Sequence, residues 1–137
     1  MTEARLDDLL RRAGTIQRLR TERALADLGL TQGQFAVLSI IVANPQVSNA
    51  DIARIEGLTP QTVSVIAANL VRRGTVIRAP HPEHGRIQQL EATPAGRELF
   101  EQCEARAEKL NRWLSGGFTP EELGAARRWL SAVATRG

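Results

Sequence analysis

Within two helical turns, residues 61 to 69 carry two amides, two hydroxyls and a branched methyl pair: Gln61, Thr62, Ser64 and Val65, with Asn69 one turn further on. Without a base beside them such groups transfer nothing, so their chemistry is recognition. An amide offers a paired donor and acceptor, so Gln61 suits adenine in a DNA major groove, and Val65 or the Thr62 methyl suits the thymine methyl. Arginine supplies the complementary chemistry. Of the 18 basic residues 17 are Arg, a residue whose planar fork fits phosphates and guanine edges. Arg72, Arg73 and Arg78 follow the polar stretch closely enough to lie near phosphates, and Arg86, just past Gly85, is placed to enter a minor groove. Each arginine taken singly also reads as a solvated surface charge.

Groups able to do covalent chemistry are scarce and scattered. The single cysteine, Cys103, falls on the apolar stripe Leu99, Phe100, Cys103, Ala107, Leu110, Trp113 and Leu114, where a thiol is expected to be buried and inert. The two histidines, His81 and His84, form a His-x-x-His pair in a turn with no third ligand nearby, short of what zinc requires. Glu121 and Glu122 have a simpler task at a helix N-terminus, where they complement the helix dipole. No nucleophile stands with a base, so an enzyme is disfavoured, and neither a metal nor a cofactor is implied.

The elements that must position the recognition residues are marked by recurring helix-start chemistry. Thr31 with Gln34 and Ser48 with Asp51 read as capping boxes, Thr119-Pro120 adds Glu122 to the same pattern, and Thr59-Pro60 and Thr93-Pro94 set a cap before a first-turn proline. The pairs Leu30/Phe35, Val47/Ile52, Leu58/Val63 and Phe118/Leu123 are spaced as hydrophobic staples, and Gly29, Gly57, Gly74 and Gly116-Gly117 mark helix ends. This predicts helices near residues 3–28, 32–43, 49–56, 60–73, 94–115 and 120–135. Residues 75–79 and 86–92 are β-prone around the turn His81-Pro82-Glu83-His84-Gly85, which predicts a hairpin. A short helix, the three-residue connection Gly57-Leu58-Thr59 and a second helix have helix-turn-helix spacing, and the hairpin makes the unit winged.

At 137 residues, 42% hydrophobic and 24% charged, the chain has the length of one domain, reads as 1–137 without an internal boundary, and needs no disulfide to fold. No apolar run approaches the roughly 20 residues of a membrane span, so no membrane partner is expected. Met1 to Arg5 followed by Asp7-Asp8 fit no secretory signal, and the expected address is the cytoplasm. Leu6, Leu9, Leu10, Ala13, Ile16 and Leu19 make an apolar stripe on the first helix, and Leu123, Ala126, Leu130 and Val133 make one on the last. Periodicity leaves open whether a second subunit or the chain itself covers these stripes.

Leu28-Gly29-Leu30-Thr31-Gln32-Gly33-Gln34-Phe35-Ala36-Val37-Leu38, Asp51-Ile52-Ala53, Leu58 through Ser64, Leu70 through Arg78, Gly85-Arg86 and Thr93-Pro94-Ala95-Gly96 occur in the order and spacing of a known family. The sequence resembles the multiple antibiotic resistance regulator (MarR) family of winged helix-turn-helix transcription factors over nearly its whole length. The resemblance implies a mainly α fold: a winged helix-turn-helix over about 31–92 with a two-stranded β-wing, flanked by dimerisation helices at about 3–28, 94–115 and 120–135. It implies a homodimer on pseudo-palindromic double-stranded DNA, more often a repressor than an activator. Some members are released by small phenolic or other anionic effectors, which by resemblance places a pocket near Ile16, Leu19, Arg20, Phe35 and Leu38. The same five residues read equally well as core and surface positions without a ligand.

Three departures from the family pattern stand out. The wing has His84-Gly85-Arg86 where an acid usually precedes the arginine by two residues, the second helix has Val65 and Ala68 where Arg and Asp are common, and Ala92-Thr93 replaces Leu-Thr. The second keeps an alternative open, a winged-helix protein-interaction module that has lost DNA binding.

Overall fold

Five of the six helices in the computed structural model, which describes residues 3–136, begin at the hydroxyl caps picked out in the sequence. The elements run α1 (Leu6–Leu25), a 3₁₀ turn (Ala26–Leu28), α2 (Gln32–Ala43), β1 (Val47–Ser48), α3 (Asn49–Glu56), α4 (Pro60–Arg72), β2 (Val76–Pro80), β3 (Gln88–Ala92), α5 (Pro94–Ser115) and α6 (Pro120–Arg136). Thr31 Oγ1 accepts from the Gln34 amide while Gln34 Oε1 accepts from the Thr31 amide, both at 3.1 Å. Ser48 and Asp51 form the same reciprocal box, as do Thr119 and Glu122. Each box satisfies two amide donors that a helix start leaves unpaired.

The first helix departs from its expected extent. Its α-helical part ends at Leu25 and tightens into the 3₁₀ turn, so residues 26–28 do not continue the α period. The hairpin departs from expectation as well, because the sheet has three antiparallel strands in the order β1-β3-β2. Val47 lies opposite Leu90 and Val76 opposite Ala92. β1 is two residues long, too short for alternation to reveal, and it follows a tight turn in which Gln46 takes φ 68°.

The helix-turn-helix unit and the sheet share one core. Leu25, Leu38, Ile41, Ile52, Val63, Leu70, Val76 and Leu90 are fully buried in it, each contributing about 1.5–3 kcal/mol relative to an exposed side chain. Two glycines are fixed by geometry. Gly57, between α3 and α4, has φ +69°, which a side chain resists, and a Cβ on Gly96 would meet the Thr75 carbonyl oxygen. That near contact is where α5 docks on the start of β2, fastened by Thr93 Oγ1 donating to the Gly74 carbonyl at 2.6 Å.

Residues Met1–Ala107 make one compact unit and Glu108–Gly137 a second. The second holds the end of α5 and α6, with a groove of about 920 Å³ lined by apolar Leu114, Leu123, Ala126 and Leu130. The expected Phe118/Leu123 staple leaves Phe118 61% exposed. Among the described residues no single helix is long and apolar enough to cross a membrane.

Candidate nucleic-acid interface

α4 separates its two faces by helical period. Val63, Ala67 and Leu70 are buried, while Gln61, Thr62, Ser64 and Val65 are exposed, so the side chains expected to read DNA share the outward face of one helix. Val65 is 66% exposed, leaving its methyls available for an apolar contact. Pro60 at the first helical position and the Thr59 cap, which accepts from the Thr62 amide at 3.2 Å, set where this face begins.

The hydroxyls on that face are not equivalent. Thr62 Oγ1 lies 2.9 Å from Thr59 Oγ1, so its hydroxyl is engaged within the cap and its methyl is the freer group. Ser64 Oγ accepts a hydrogen bond from Asn49 Nδ2 at 3.3 Å, which leaves the Ser64 hydrogen free to donate outward. Asn49, the first residue of α3, was not singled out in the sequence, since only the α3–α4 packing brings it to Ser64. Asn69 is half-buried and accepts from Arg72 at 3.4 Å.

The four arginines go to different places. Arg72 is exposed near the end of α4, and Arg78 is exposed on β2, opposite Leu90. Arg86 is exposed two residues before β3 and borders a hollow of about 310 Å³ shared with Ser48, Asn49 and Ala50 at the start of α3. Arg73, expected beside phosphates, instead donates from Nη1 to the Gly29 carbonyl at 2.7 Å and from Nη2 to the Leu28 carbonyl at 2.8 Å. Its guanidinium is committed to the backbone of the α1–α2 junction.

A second arginine that sequence reasoning passed over holds the same junction. Arg106 of α5 donates to the Ala24 carbonyl at 2.6 Å and engages both carboxylate oxygens of Asp27. The hydrogen bonds from Arg106 hold the Asp27 carboxyl below its ordinary range. Only an i to i+79 pairing marks this contact, so no local pattern could have shown it.

Cys103 is fully buried in the core, and burial pushes its thiol up while the charges of Arg106 and Arg73 partly oppose the shift. In the wing, His81 Nδ1 accepts from the amides of Glu83 and His84 at 3.0 and 3.2 Å, which makes it part of the turn. The expected effector residues divide. Ile16 and Leu19 are exposed on α1 (48% and 45%), Arg20 is exposed, and Phe35 is half-buried with its ring 6.3 Å from that of Phe100. Leu38, expected on a pocket wall, is instead core at 0% exposure. Beside these α1 positions runs a polar chain the sequence did not announce: Gln32 Nε2 donates to Gln17 Oε1, and Gln17 Nε2 to Thr21 Oγ1, each at 3.2 Å. Gln32 Oε1 is buried and accepts no hydrogen bond among the described residues.

Two helices joined through a left-handed glycine, with the second carrying a polar outward face and a sheet following it, define a winged helix-turn-helix protein. Comparison with known proteins agrees. The model of the MarR family matches residues 28–87. The HTH-type transcriptional repressor Rv2887 of Mycobacterium tuberculosis (strain ATCC 25618 / H37Rv) is 34% identical over 103 residues, 75% of this chain and 74% of that protein. CouR from Rhodococcus jostii RHA1, solved bound to p-coumaroyl-CoA, superposes with a TM-score of 0.85 at 26% identity, covering 92% of this chain and 89% of its own. MepR of S. aureus, solved as a DNA complex, shares the fold with a TM-score of 0.89 at 21% identity, over 98% of this chain and 100% of its own. This chain belongs to the MarR family of DNA-binding transcriptional regulators.

Proposed function

We propose that the chain acts in the cytoplasm as a homodimeric repressor on pseudo-palindromic double-stranded DNA, with residues 1–137 working as a single MarR-type domain. The observation that carries this reading is the outward face of α4, where Gln61, Ser64 and Val65 are exposed on a helix whose other face is core. In the proposed complex Gln61 and Ser64 read base edges, the Thr62 methyl and Val65 meet thymine methyls, and Asn69 reaches in from the next turn. Arg72 and Arg78 contact phosphates, and Arg86 enters the minor groove. The repressor sense follows the similarity to Rv2887. Dimerisation is supported by exposed apolar side chains on α1, α5 and α6, including Leu6, Ile16, Trp113 and Leu130.

Release by a small organic effector is part of the reading, supported by the likeness to CouR, which was solved with p-coumaroyl-CoA. Ile16, Leu19, Arg20 and Phe35 form its proposed surroundings, with the buried Gln32 Oε1 as an acceptor for a ligand hydroxyl. The function is binding, not catalysis, and uses no cofactor or metal. A footprint on DNA upstream of the protein's own gene tests it, read beside a salt titration on random duplex. A protected pseudo-palindrome and a steep salt slope are expected. Weak binding with a flat slope would favour the protein-interaction alternative.

A further inference from the structure

We infer that Arg73 is a positioning residue of DNA recognition: it ties the reading helix α4 to the junction between α1 and α2, and so sets the separation of the two reading helices in the dimer. The inference rests on the operator-binding reading above and deepens it. Arg73 is the C-cap residue of α4, and its two terminal nitrogens bind the carbonyls of Gly29 and Leu28 at 2.7 and 2.8 Å, 44 and 45 residues back in the chain. Those carbonyls close the α1 and 3₁₀ run, where unpaired oxygens carry the negative end of the helix dipole and a cation is the matching cap.

The junction is held a second time. Arg106 of α5 binds the Ala24 carbonyl and both oxygens of Asp27, so residues 24–29 receive one guanidinium from the reading helix and one from α5. α1 and α5 both carry exposed apolar residues assigned above to the dimer, while α4 carries the side chains assigned to bases. Residues 24–29 therefore receive side-chain hydrogen bonds from both the reading helix and α5, and Arg73 is the link on the DNA side. A planar fork can bridge two neighbouring carbonyls, whereas the single ammonium of lysine keeps the charge and loses that geometry. A phosphate contact keeps part of its strength with any cation and shows itself in the salt slope, which loss of a carbonyl bridge leaves unchanged. The two roles are thus separable by substitution.

The experiment uses the full chain as Arg73→Lys, Arg73→Gln and Arg72→Gln, after thermal melts establish which variants are folded at the assay temperature. Each is titrated with the footprinted operator, with that operator lengthened by one base pair between its half-sites, and with random duplex over a range of salt. Both Arg73 variants should lose at least tenfold on the operator, and their preference for the native over the lengthened spacing should fall at least tenfold. Their salt slope on random duplex should match wild type. Arg72→Gln should keep the spacing preference and lower the slope by about 1.8, or 0.9 for each of two copies.

Wild-type binding by Arg73→Lys, with a flattened slope in Arg73→Gln, would make Arg73 a phosphate contact and overturn the inference. An unaltered spacing preference in both variants would overturn it equally. If Arg73→Gln melts early, Arg73→Lys carries the same comparison. A wild-type protein with no operator preference at all would instead sink the operator reading and this inference with it, a result distinct from a wild type that discriminates and Arg73 variants that discriminate just as well.

Discussion

Replacing Gln61 by alanine should sharply weaken sequence preference while leaving the protein and its attraction to phosphates intact. Gln61 is exposed one residue past Pro60 in the first turn of α4, so truncation removes no core contact and puts the best helix former in a helical position. A bidentate amide contact with a base discriminates by about 1–3 kcal/mol. A dimer reading two half-sites makes it twice, giving about 2–6 kcal/mol, or about 30-fold to 10⁴-fold on the operator at about 1.4 kcal/mol per decade. On random duplex the loss should be negligible, because backbone contacts carry no sequence information. Arg72→Gln is the opposite perturbation. With a slope change of about 1.8, its affinity gap from wild type should narrow about 12-fold between 50 and 200 mM salt on either DNA. Fluorescence titrations of operator and random duplex at both salts measure all four quantities. Equal loss by Gln61→Ala on both DNAs would place Gln61 on the backbone, and full operator affinity would remove it from the reading set.

Three further outcomes follow from the packing and the polar contacts. Gly96→Ala must push a methyl against the Thr75 carbonyl where α5 docks on β2, and should cost about 1–3 kcal/mol or more in urea melts; an unchanged midpoint would mean that the docking is slack. Asn49→Ala and Ser64→Ala should be non-additive on the operator, with a coupling of about 0.5–1.5 kcal/mol in a double-mutant cycle, because Asn49 orients the Ser64 hydroxyl; additive losses would leave Ser64 free of its neighbour. Cys103 should label slowly in the native protein and peroxide should leave operator affinity unchanged, because the thiol is buried and its raised pKa lowers the thiolate fraction at every pH below the ordinary value of 9.0; rapid labelling with peroxide-triggered release would reverse that assignment.

What the sequence made legible is what is encoded over three to five residues. A threonine or serine followed three positions later by Gln, Asp or Glu is a complete instruction for a helix start, and α2, α3 and α6 begin at the residue such a box specifies. β1 was missed because two residues make no pattern; its pairing with β3 depends on a partner more than 40 residues away. The overlong first helix has a related cause. Ala26, Asp27 and Leu28 suit an α-helix locally, and the turn at Gly29 together with carbonyl contacts from Arg73 and Arg106 accompanies the tightening to 3₁₀.

The outward face of α4 was readable for the same reason as the caps, since burial of Val63, Ala67 and Leu70 assigns every intervening residue a side. Arginines resist such reading. Arg72 and Arg73 are adjacent, of one residue type and both exposed, yet one turns toward Asn69 of its own helix and the other spans to carbonyls 44 and 45 residues away. A long side chain with five donors takes whichever acceptors the fold leaves unpaired, and the end of α1 leaves several. The carbonyls of residues 24, 28 and 29 are satisfied by guanidinium groups from α4 and α5, so the positive charge most closely tied to α4 serves its alignment. In the proposed complex, electrostatic attraction to DNA then falls to Arg72, Arg78 and Arg86, whose positions trace the end of the reading helix and the two sides of the wing. That division requires a salt slope set by those three residues and a half-site spacing set by Arg73.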